Sequence, residues 1–285
     1  MSAWLQPEPA NWWHVVEDAI EEDLGGVGDI TSGCLDPDLM CDWYIEAQAD
    51  GVLSGVGIVE YLMAPQPNDP SEAYVSVLRN DGDRVQRGDR ILEGSLLARR
   101  ALIDERTALN FLMHLSGVAT LTSHFVERVQ GTNARIVDTR KTLPNLRQLQ
   151  KYAVRCGGGA NHRMGLFDAV MLKDNHILAV GSITEAVNRV RAYASHLTRI
   201  EVECTTLEMV AEAVDCAVDV VLLDNMDPFM MREAVKTYAG RCLFEASGGI
   251  TLETVRGVAQ TGVDIISVGA LTHSAPAFPC HLELS

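Results

Sequence analysis

The sequence is short of positive charge, since 23 lysine and arginine residues face 39 acidic ones and the formal net charge is −16. Nucleic-acid binders usually carry a basic surface, so we expect no nucleic-acid partner. The chain also lacks a run of about 18 apolar residues, which argues against a transmembrane helix. Its first residues lack the basic start of a secretory signal. These absences predict a cytoplasmic protein that does not associate with membranes.

Paired cysteine motifs are also missing. The seven cysteines are odd in number and scattered, and no CxxC spacing occurs among them. This pattern is typical of reduced thiols in the cytoplasm and argues against a disulfide framework or a zinc site. Cys156 could be a nucleophile, but a small buried residue is the favoured interpretation because no partner base stands in an obvious motif.

The scarce positive charge is concentrated between residues 135 and 176, where eight basic residues stand against three acidic ones. Such a concentration in an acidic protein indicates a small, highly anionic ligand. The evenly spaced Arg147, Lys151 and Arg155 are instead typical of a solvated helix face. The basic residues of interest stand beside glycine, asparagine or histidine at strand ends and turns: Arg140, Lys141, Arg163 and Lys173.

The first part of the chain is predicted to be α+β. Asn11 can cap a first helix, and residues 43–60 and 74–100 are typical of short strands punctuated by glycine. Residues 103–124 are predicted to be helical, with Gly117 interrupting two helices.

From residue 135 onward strands and helices alternate, which predicts a parallel sheet covered by helices. The expected strands are residues 135–139, 169–172, 199–203, 218–223, 242–246 and 264–268. Polar residues or glycines follow them at the carboxyl ends, the functional edge of a (β/α) barrel. Six or seven strands fall short of eight, so we expect an α/β protein with an incomplete (β/α) barrel and an N-terminal α+β open-sandwich domain.

Several long motifs resemble the quinolinate phosphoribosyltransferase family. They are EEDLGGVGDITS, ERTALNFLMHLSGVAT, DTRKTLPNLR, KYAVRCGGGANHRMGLFD, KDNH, VLLDNM, EASGGI and VGALTHSAP. The resemblance implies transfer of a phosphoribosyl group from 5-phosphoribosyl-1-pyrophosphate to quinolinate, with decarboxylation to nicotinate mononucleotide, in de novo NAD synthesis. It also implies a sandwich domain over residues 1–117, completed by 275–285, and a barrel domain over 118–274. A homodimer or higher homo-oligomer is implied, with Arg106 supplied across the interface.

Residue roles follow from the same resemblance. The quinolinate carboxylates are assigned to Arg106, Arg140, His162 and Arg163, since guanidinium groups pair well with carboxylates. Lys141 and Lys173 would hold the pyrophosphate, and Thr139 belongs to the same substrate site. Glu203 and Asp224 would face the ribose and a Mg²⁺ ion, directly or through water, and Lys141, Lys173, Glu203 and Asp224 form the catalytic set. The 5-phosphate is assigned to Ser247, Gly248, Gly249 and Gly269. No organic cofactor is expected.

Structural alternatives exist for several of these residues. His162 could be a hydrogen-bonded core histidine, and Arg106 could form a surface ion pair with Asp104 or Glu105. Glu203 could pair with Arg199 or Arg135, and Asp224 could cap the helix that begins near Pro228.

Other functions also remain open. A barrel lyase would use Lys173 as a Schiff-base amine. A paralogue linked to molybdenum uptake would share the motifs without acting on quinolinate. The glycine-rich hairpins of residues 43–100 could indicate a carrier domain, but the Met-Lys-Met motif that holds a carrier lysine is absent. Asn145 stands where the family commonly has glycine, and asparagine tolerates the left-handed turn expected there.

Overall fold

The computed structural model describes residues 12–67 and 69–285. The chain divides into two compact units, of which the first comprises Met1–Ser123, Thr142–Gly158 and Leu271–Ser285, and the second His124–Lys141 and Gly159–Ala270. The expected cap Asn11 lies outside the described residues. Among the described residues, none of the helices combines the length and the apolar composition of a membrane span.

The strands of the first unit are β1 (Met40–Ala47), β2 (Gly51–Val52), β3 (Tyr74–Val77), β4 (Arg84–Val85), β5 (Arg90–Leu97) and β12 (Cys280–Leu284). Four of them form a sheet in the order β12-β1-β5-β3, and β2 and β4 form a small ribbon. β12 pairs antiparallel with β1, from Trp43 opposite Leu284 to Ala47 opposite Cys280.

Two helices of this part differ from the expectation. The segment Val56–Met63 is helix α2, not a strand, because Gly55 adopts φ 99° and the Asp81 carboxylate accepts the N–H of Val56 at 2.9 Å. Helix α3 runs without interruption from Ala98 to Arg128, so the predicted break at Gly117 is wrong. A Cβ on Gly117 would collide with the Pro276 carbonyl, so the glycine permits close chain approach and does not end a helix.

The remaining helices near this unit are α1 (Trp13–Leu24), α4 (Arg147–Cys156) and α10 (Ala270–His273). The basic stripe of α4 is not the solvated face that its spacing predicted, because Lys151 is fully buried. Its neighbours Gln150 and Tyr152 are buried too, so the helix packs on several sides. Asn145 before α4 has φ 62°, which confirms the left-handed turn. Cys156 is buried, and burial raises the pKa of its thiol to about 12, as expected of a core residue.

The second unit is built on six parallel strands, which are β6 (Arg135–Val137), β7 (Val170–Leu172), β8 (Ile200–Cys204), β9 (Val220–Asp224), β10 (Leu243–Ser247) and β11 (Ile265–Ser267). Their order in the sheet is β6-β11-β10-β9-β8-β7. The expected strands are confirmed. β6 and β7 occupy the two edges and do not pair with each other, so the barrel is incomplete.

Helices follow the strands as predicted. They are α5 (Asp174–Val180), α6 (Ile183–Tyr193), α7 (Leu207–Asp215), α8 (Pro228–Tyr238) and α9 (Val255–Ala259). The side chain of Ser182 caps α6, and that of Thr206 caps α7. Helix α8 is capped by Asp227, whose carboxylate accepts the N–H groups of Phe229 and Met230. Asp224 is therefore not the cap of this helix, and that structural alternative is wrong.

Candidate active site

The carboxyl ends of the parallel strands bring several predicted residues to one edge of the second unit. Lys173 directly follows β7, Glu203 is the penultimate residue of β8, and Asp224 is the last residue of β9. The Lys173 ammonium lies 2.8 Å from the Glu203 carboxylate. Glu203 thus pairs with Lys173 and not with an arginine at the amino end of a strand.

Asp224 is oriented by the residue that follows it. The amide of Asn225 donates to the Asp224 carboxylate at 2.8 Å, and the backbone N–H of Asn225 donates to the Ser247 carbonyl at 2.9 Å. Asn225 has φ 53°, a conformation that asparagine tolerates better than most residues. A Cβ on Gly248 would overlap the Asn225 side chain, so this glycine is required for the two loops to approach.

The turn after β10 is open and rich in backbone donors. Ser247 ends the strand, and Gly248 and Gly249 have φ values of 97° and 60°. Gly269 lies beyond β11 and immediately before α10. Successive backbone N–H groups in such turns can form a concave site for an anion.

The segments after β6 and before β7 are tied together by Asp138. This aspartate is fully buried, and it accepts hydrogen bonds from the Asn161 amide at 2.5 Å and the His162 backbone N–H at 2.9 Å. In the same turn, Thr139 Oγ1 accepts the Lys141 N–H at 3.0 Å. The buried carboxylate thereby fixes the two segments that carry most of the predicted cationic residues.

The Arg163 side chain is partly buried among charged groups of both signs. Its guanidinium donates to the Ala169 carbonyl at 3.1 Å. Burial, followed by the positive charge of Arg140, lowers the pKa of Arg163, while Glu201 and Asp168 act in the opposite direction. An anion with more than one negative charge would stabilise both guanidinium groups.

A buried acidic cluster lies beneath this edge, and no sequence motif predicted it. His162, Glu201 and Glu245 offer atoms that lie within 4.8 Å of one another. Burial and the neighbouring charge of Glu201 raise the pKa of Glu245 to about 7. The sequence did hold a signal for it, because side chains two positions apart in a strand point to the same face. Glu201 lies two positions before Glu203, and Glu245 lies two before Ser247, so each glutamate shares a face with a predicted site residue.

Arg106 belongs to the first unit, whereas the other predicted site residues belong to the second. Its side chain is 60% exposed and lies 3.6 Å from Glu105, so the surface ion pair predicted as an alternative is present. Arg106 also lines a cavity of about 460 Å³ together with Asn110 and His114 of α3.

Two family models match nearly the whole chain. The model described as the N-terminal domain of quinolinate phosphoribosyl transferase matches residues 29–116, and the C-terminal domain model matches residues 118–283.

Individual proteins are similar over comparable lengths. The nicotinate-nucleotide pyrophosphorylase [carboxylating] of Mycobacterium leprae is 42% identical, covering 93% of this chain and 94% of its own. A chloroplastic protein of the same name from Arabidopsis thaliana is 40% identical, covering 95% of this chain and 82% of its own. The solved nicotinate-nucleotide pyrophosphorylase of Francisella tularensis superposes with a TM-score of 0.90 at 34% identity, covering 98% of each chain.

Proposed function

Because the chain belongs to the quinolinate phosphoribosyltransferase family, we propose that it makes nicotinate mononucleotide from quinolinate and 5-phosphoribosyl-1-pyrophosphate for NAD synthesis. Pyrophosphate and carbon dioxide are the other products. The observation that carries the proposal is the set of charged side chains at the carboxyl ends of neighbouring strands, with Lys173 2.8 Å from Glu203 and Asp224 at the end of the next strand. Arg140 follows β6, and its positive charge acts on Arg163. Quinolinate has two adjacent carboxylates and suits such a pair of guanidinium groups.

The proposed reaction needs positioning and electrostatics more than covalent help. The pyridine nitrogen forms a bond to the ribosyl carbon as the bond to pyrophosphate breaks. Carboxylates beside the ribose stabilise the cationic character of that carbon, and the ammonium groups of Lys141 and Lys173 stabilise the leaving pyrophosphate. The resulting pyridinium ring accepts the electron pair released when the 2-carboxylate departs as carbon dioxide, and a proton then takes its place.

Magnesium binding is part of this proposal. Glu203 and Asp224 offer hard carboxylate oxygens from adjacent strands, the donor type that Mg²⁺ prefers. When bound with the substrate, the ion would neutralise pyrophosphate charge. Because Glu203 already contacts Lys173 at 2.8 Å, both cations would share this carboxylate or Lys173 would turn toward the pyrophosphate. The same ion pair argues against a lyase in which Lys173 reacts as a neutral amine.

The 5-phosphate is assigned in this proposal to the backbone N–H groups of Ser247, Gly248, Gly249 and Gly269. The conformation and exposure of Gly248 and Gly249 support it, because left-handed backbone can turn successive N–H groups toward a ligand and both glycines are open to solvent. Thr139 contributes indirectly to the pyrophosphate site, since its hydroxyl accepts the N–H of Lys141 and holds the turn that presents this lysine.

We further propose a cytoplasmic homodimer in which Arg106 of one subunit completes the site of its partner. The exposed Arg106 guanidinium supports this, since Glu105 satisfies it only at 3.6 Å. Mixing Arg106→Ala and Glu203→Gln subunits tests the assembly, because a hybrid dimer would regain one site with both residues intact. Activity that stays at the level of the two separate variants would contradict the shared site.

The function is tested by mixing the protein with Mg²⁺, 5-phosphoribosyl-1-pyrophosphate and quinolinate and following nicotinate mononucleotide by mass. Matched tubes contain nicotinate, which lacks the second carboxylate. Product from quinolinate alone is the expected result. Product from nicotinate, or from neither acid, would contradict the proposal.

A further inference from the structure

Both ring nitrogens of His162 are engaged within the second unit. Nδ1 accepts the backbone N–H of Arg163 at 2.6 Å. Nε2 lies 3.1 Å from Glu201 and 3.5 Å from Glu245, and the three side chains are at most 13% exposed. The imidazole is therefore bracketed by a main-chain donor on one side and two buried carboxyl groups on the other.

These contacts define the tautomer of the ring. A nitrogen that accepts a hydrogen bond carries no proton, so the proton of a neutral imidazole must be on Nε2. Nε2–H then points at the carboxyl oxygens, which are acceptors. A doubly protonated ring would direct Nδ1–H against the Arg163 N–H, so the arrangement favours neutral His162.

The same geometry argues against a metal ion at this cluster. Separations of 3.1 and 3.5 Å between ligand atoms are compatible with a bound cation. A cation would require the Nε2 lone pair and hence a proton on Nδ1, which already faces an N–H donor. A proton on Nε2 can be donated to Glu201 at 3.1 Å while Nδ1 accepts the Arg163 N–H, whereas a cation on Nε2 would leave Nδ1 protonated against that donor.

The cluster affects Arg163 through hydrogen bonds to the backbone of His162 and Arg163. The His162 ring holds the Arg163 N–H, and Asp138 holds the His162 N–H at 2.9 Å. The Arg163 side chain is anchored at its far end by the Ala169 carbonyl. The backbone N–H groups of His162 and Arg163 are thus both held by buried side chains. The backbone from which the Arg163 side chain extends therefore has a defined position.

We propose that His162 is a positioning residue that aims Arg163, held as the neutral Nε2–H tautomer by Glu201 and Glu245, and that it does not itself contact quinolinate. This inference rests on the proposed function, in which Arg163 binds a carboxylate. The role of Glu201 and Glu245 is to hold the Nε2 side of the His162 ring from within the sheet.

A double-mutant cycle distinguishes positioning from direct contact. His162→Ala is expected to raise KM for quinolinate about five- to tenfold, the cost of one hydrogen bond, with little change in KM for 5-phosphoribosyl-1-pyrophosphate. In an Arg163→Ala background the same change should add less than about twofold, because its target is gone. Equal effects in both backgrounds would overturn the proposal.

Conservative variants distinguish the role of Nδ1, which accepts the Arg163 N–H, from that of Nε2, which faces the glutamates. His162→Asn places an amide oxygen near the Nδ1 position and can still accept the Arg163 N–H, whereas His162→Gln retains only a donor toward the glutamates. The asparagine variant should recover most of the KM for quinolinate and the glutamine variant little of it. The reverse order would contradict a role exerted through Arg163.

Nitrogen-15 NMR of the histidines reads the tautomer without any substitution. Unprotonated Nδ1 and protonated Nε2 are expected for His162, unchanged by saturating quinolinate. An imidazolium signal, a shift to protonated Nδ1, or a stoichiometric transition metal found by elemental analysis would overturn the proposal. An inactive wild-type protein with the expected tautomer would instead count against the proposed function and leave the hydrogen-bond assignment standing.

Discussion

Acidic residues have opposite roles at the two ends of the strands in the six-stranded sheet. We call the side where the strands begin the amino edge and the side where they end the carboxyl edge. At the amino edge, Asp219 accepts the N–H of Ile200 at 2.8 Å, and Asp264 accepts that of Phe244 at 2.9 Å. Each aspartate also donates its own N–H to the carbonyl of the same residue, at 3.0 and 2.9 Å. These acids extend the ladder between adjacent parallel strands.

At the carboxyl edge the acids meet side chains. Glu203 contacts the Lys173 ammonium and Asp224 accepts from the Asn225 amide, both at 2.8 Å. Side-chain partners can exchange for a ligand, whereas a backbone partner removed from the ladder leaves a polar group unsatisfied. The comparison therefore predicts that carboxyl-edge substitutions change activity and amino-edge substitutions change stability.

The largest effect is expected between the edges, at Glu245, whose pKa is raised from 4.5 to about 7 by burial and by Glu201. The folded protein then holds a proton that the unfolded chain releases above about pH 4.5. The stability that this proton provides falls as pH rises from 4.5 to 7, on the order of 3 kcal/mol in all. Urea unfolding at several pH values measures the slope. Glu245→Gln should flatten it, and an unchanged slope would contradict the assignment.

Glu203→Gln tests the carboxyl edge. The amide keeps the shape but loses the charge that faces Lys173, and a charge-assisted interaction is worth about 1.5–3 kcal/mol, or roughly 10- to 150-fold in kcat/KM. The urea midpoint should stay close to that of the wild type, since the pair is partly exposed. Full activity with reduced stability would reverse the distinction between the edges.

Asp264→Ala is the matched change at the amino edge. It leaves the Phe244 N–H without its carboxylate partner and should cost about 1–3 kcal/mol in the free energy of unfolding, with kcat/KM changed less than about twofold. Asp264→Asn retains an acceptor oxygen and is the control. A large loss of activity in the stably folded alanine variant would show that the amino edge also serves catalysis.

Periodicity predicted the six parallel strands and the edge where they end, because strand and helix patterns are local properties of the sequence. It failed at Gly117 and at Val56–Met63, where a distant carbonyl and the Asp81 cap decide the structure. The basic stripe around Lys151 shows the same limit, since burial depends on what packs against a helix. Glu201 and Glu245 escaped notice because their meeting with His162 depends on sheet order.

The smallest predicted effect separates strain from function at Asn225, the residue that orients Asp224 with φ 53°. Asn225→Ala loses the amide and forces a methyl-bearing residue into left-handed backbone, which should cost about 1 kcal/mol or slightly more in stability. Asn225→Gly loses the same amide without that strain. Both variants should raise KM for 5-phosphoribosyl-1-pyrophosphate by a similar factor, about fivefold, because each leaves Asp224 unoriented. If KM rises only in the alanine variant, the backbone conformation and not the amide controls Asp224.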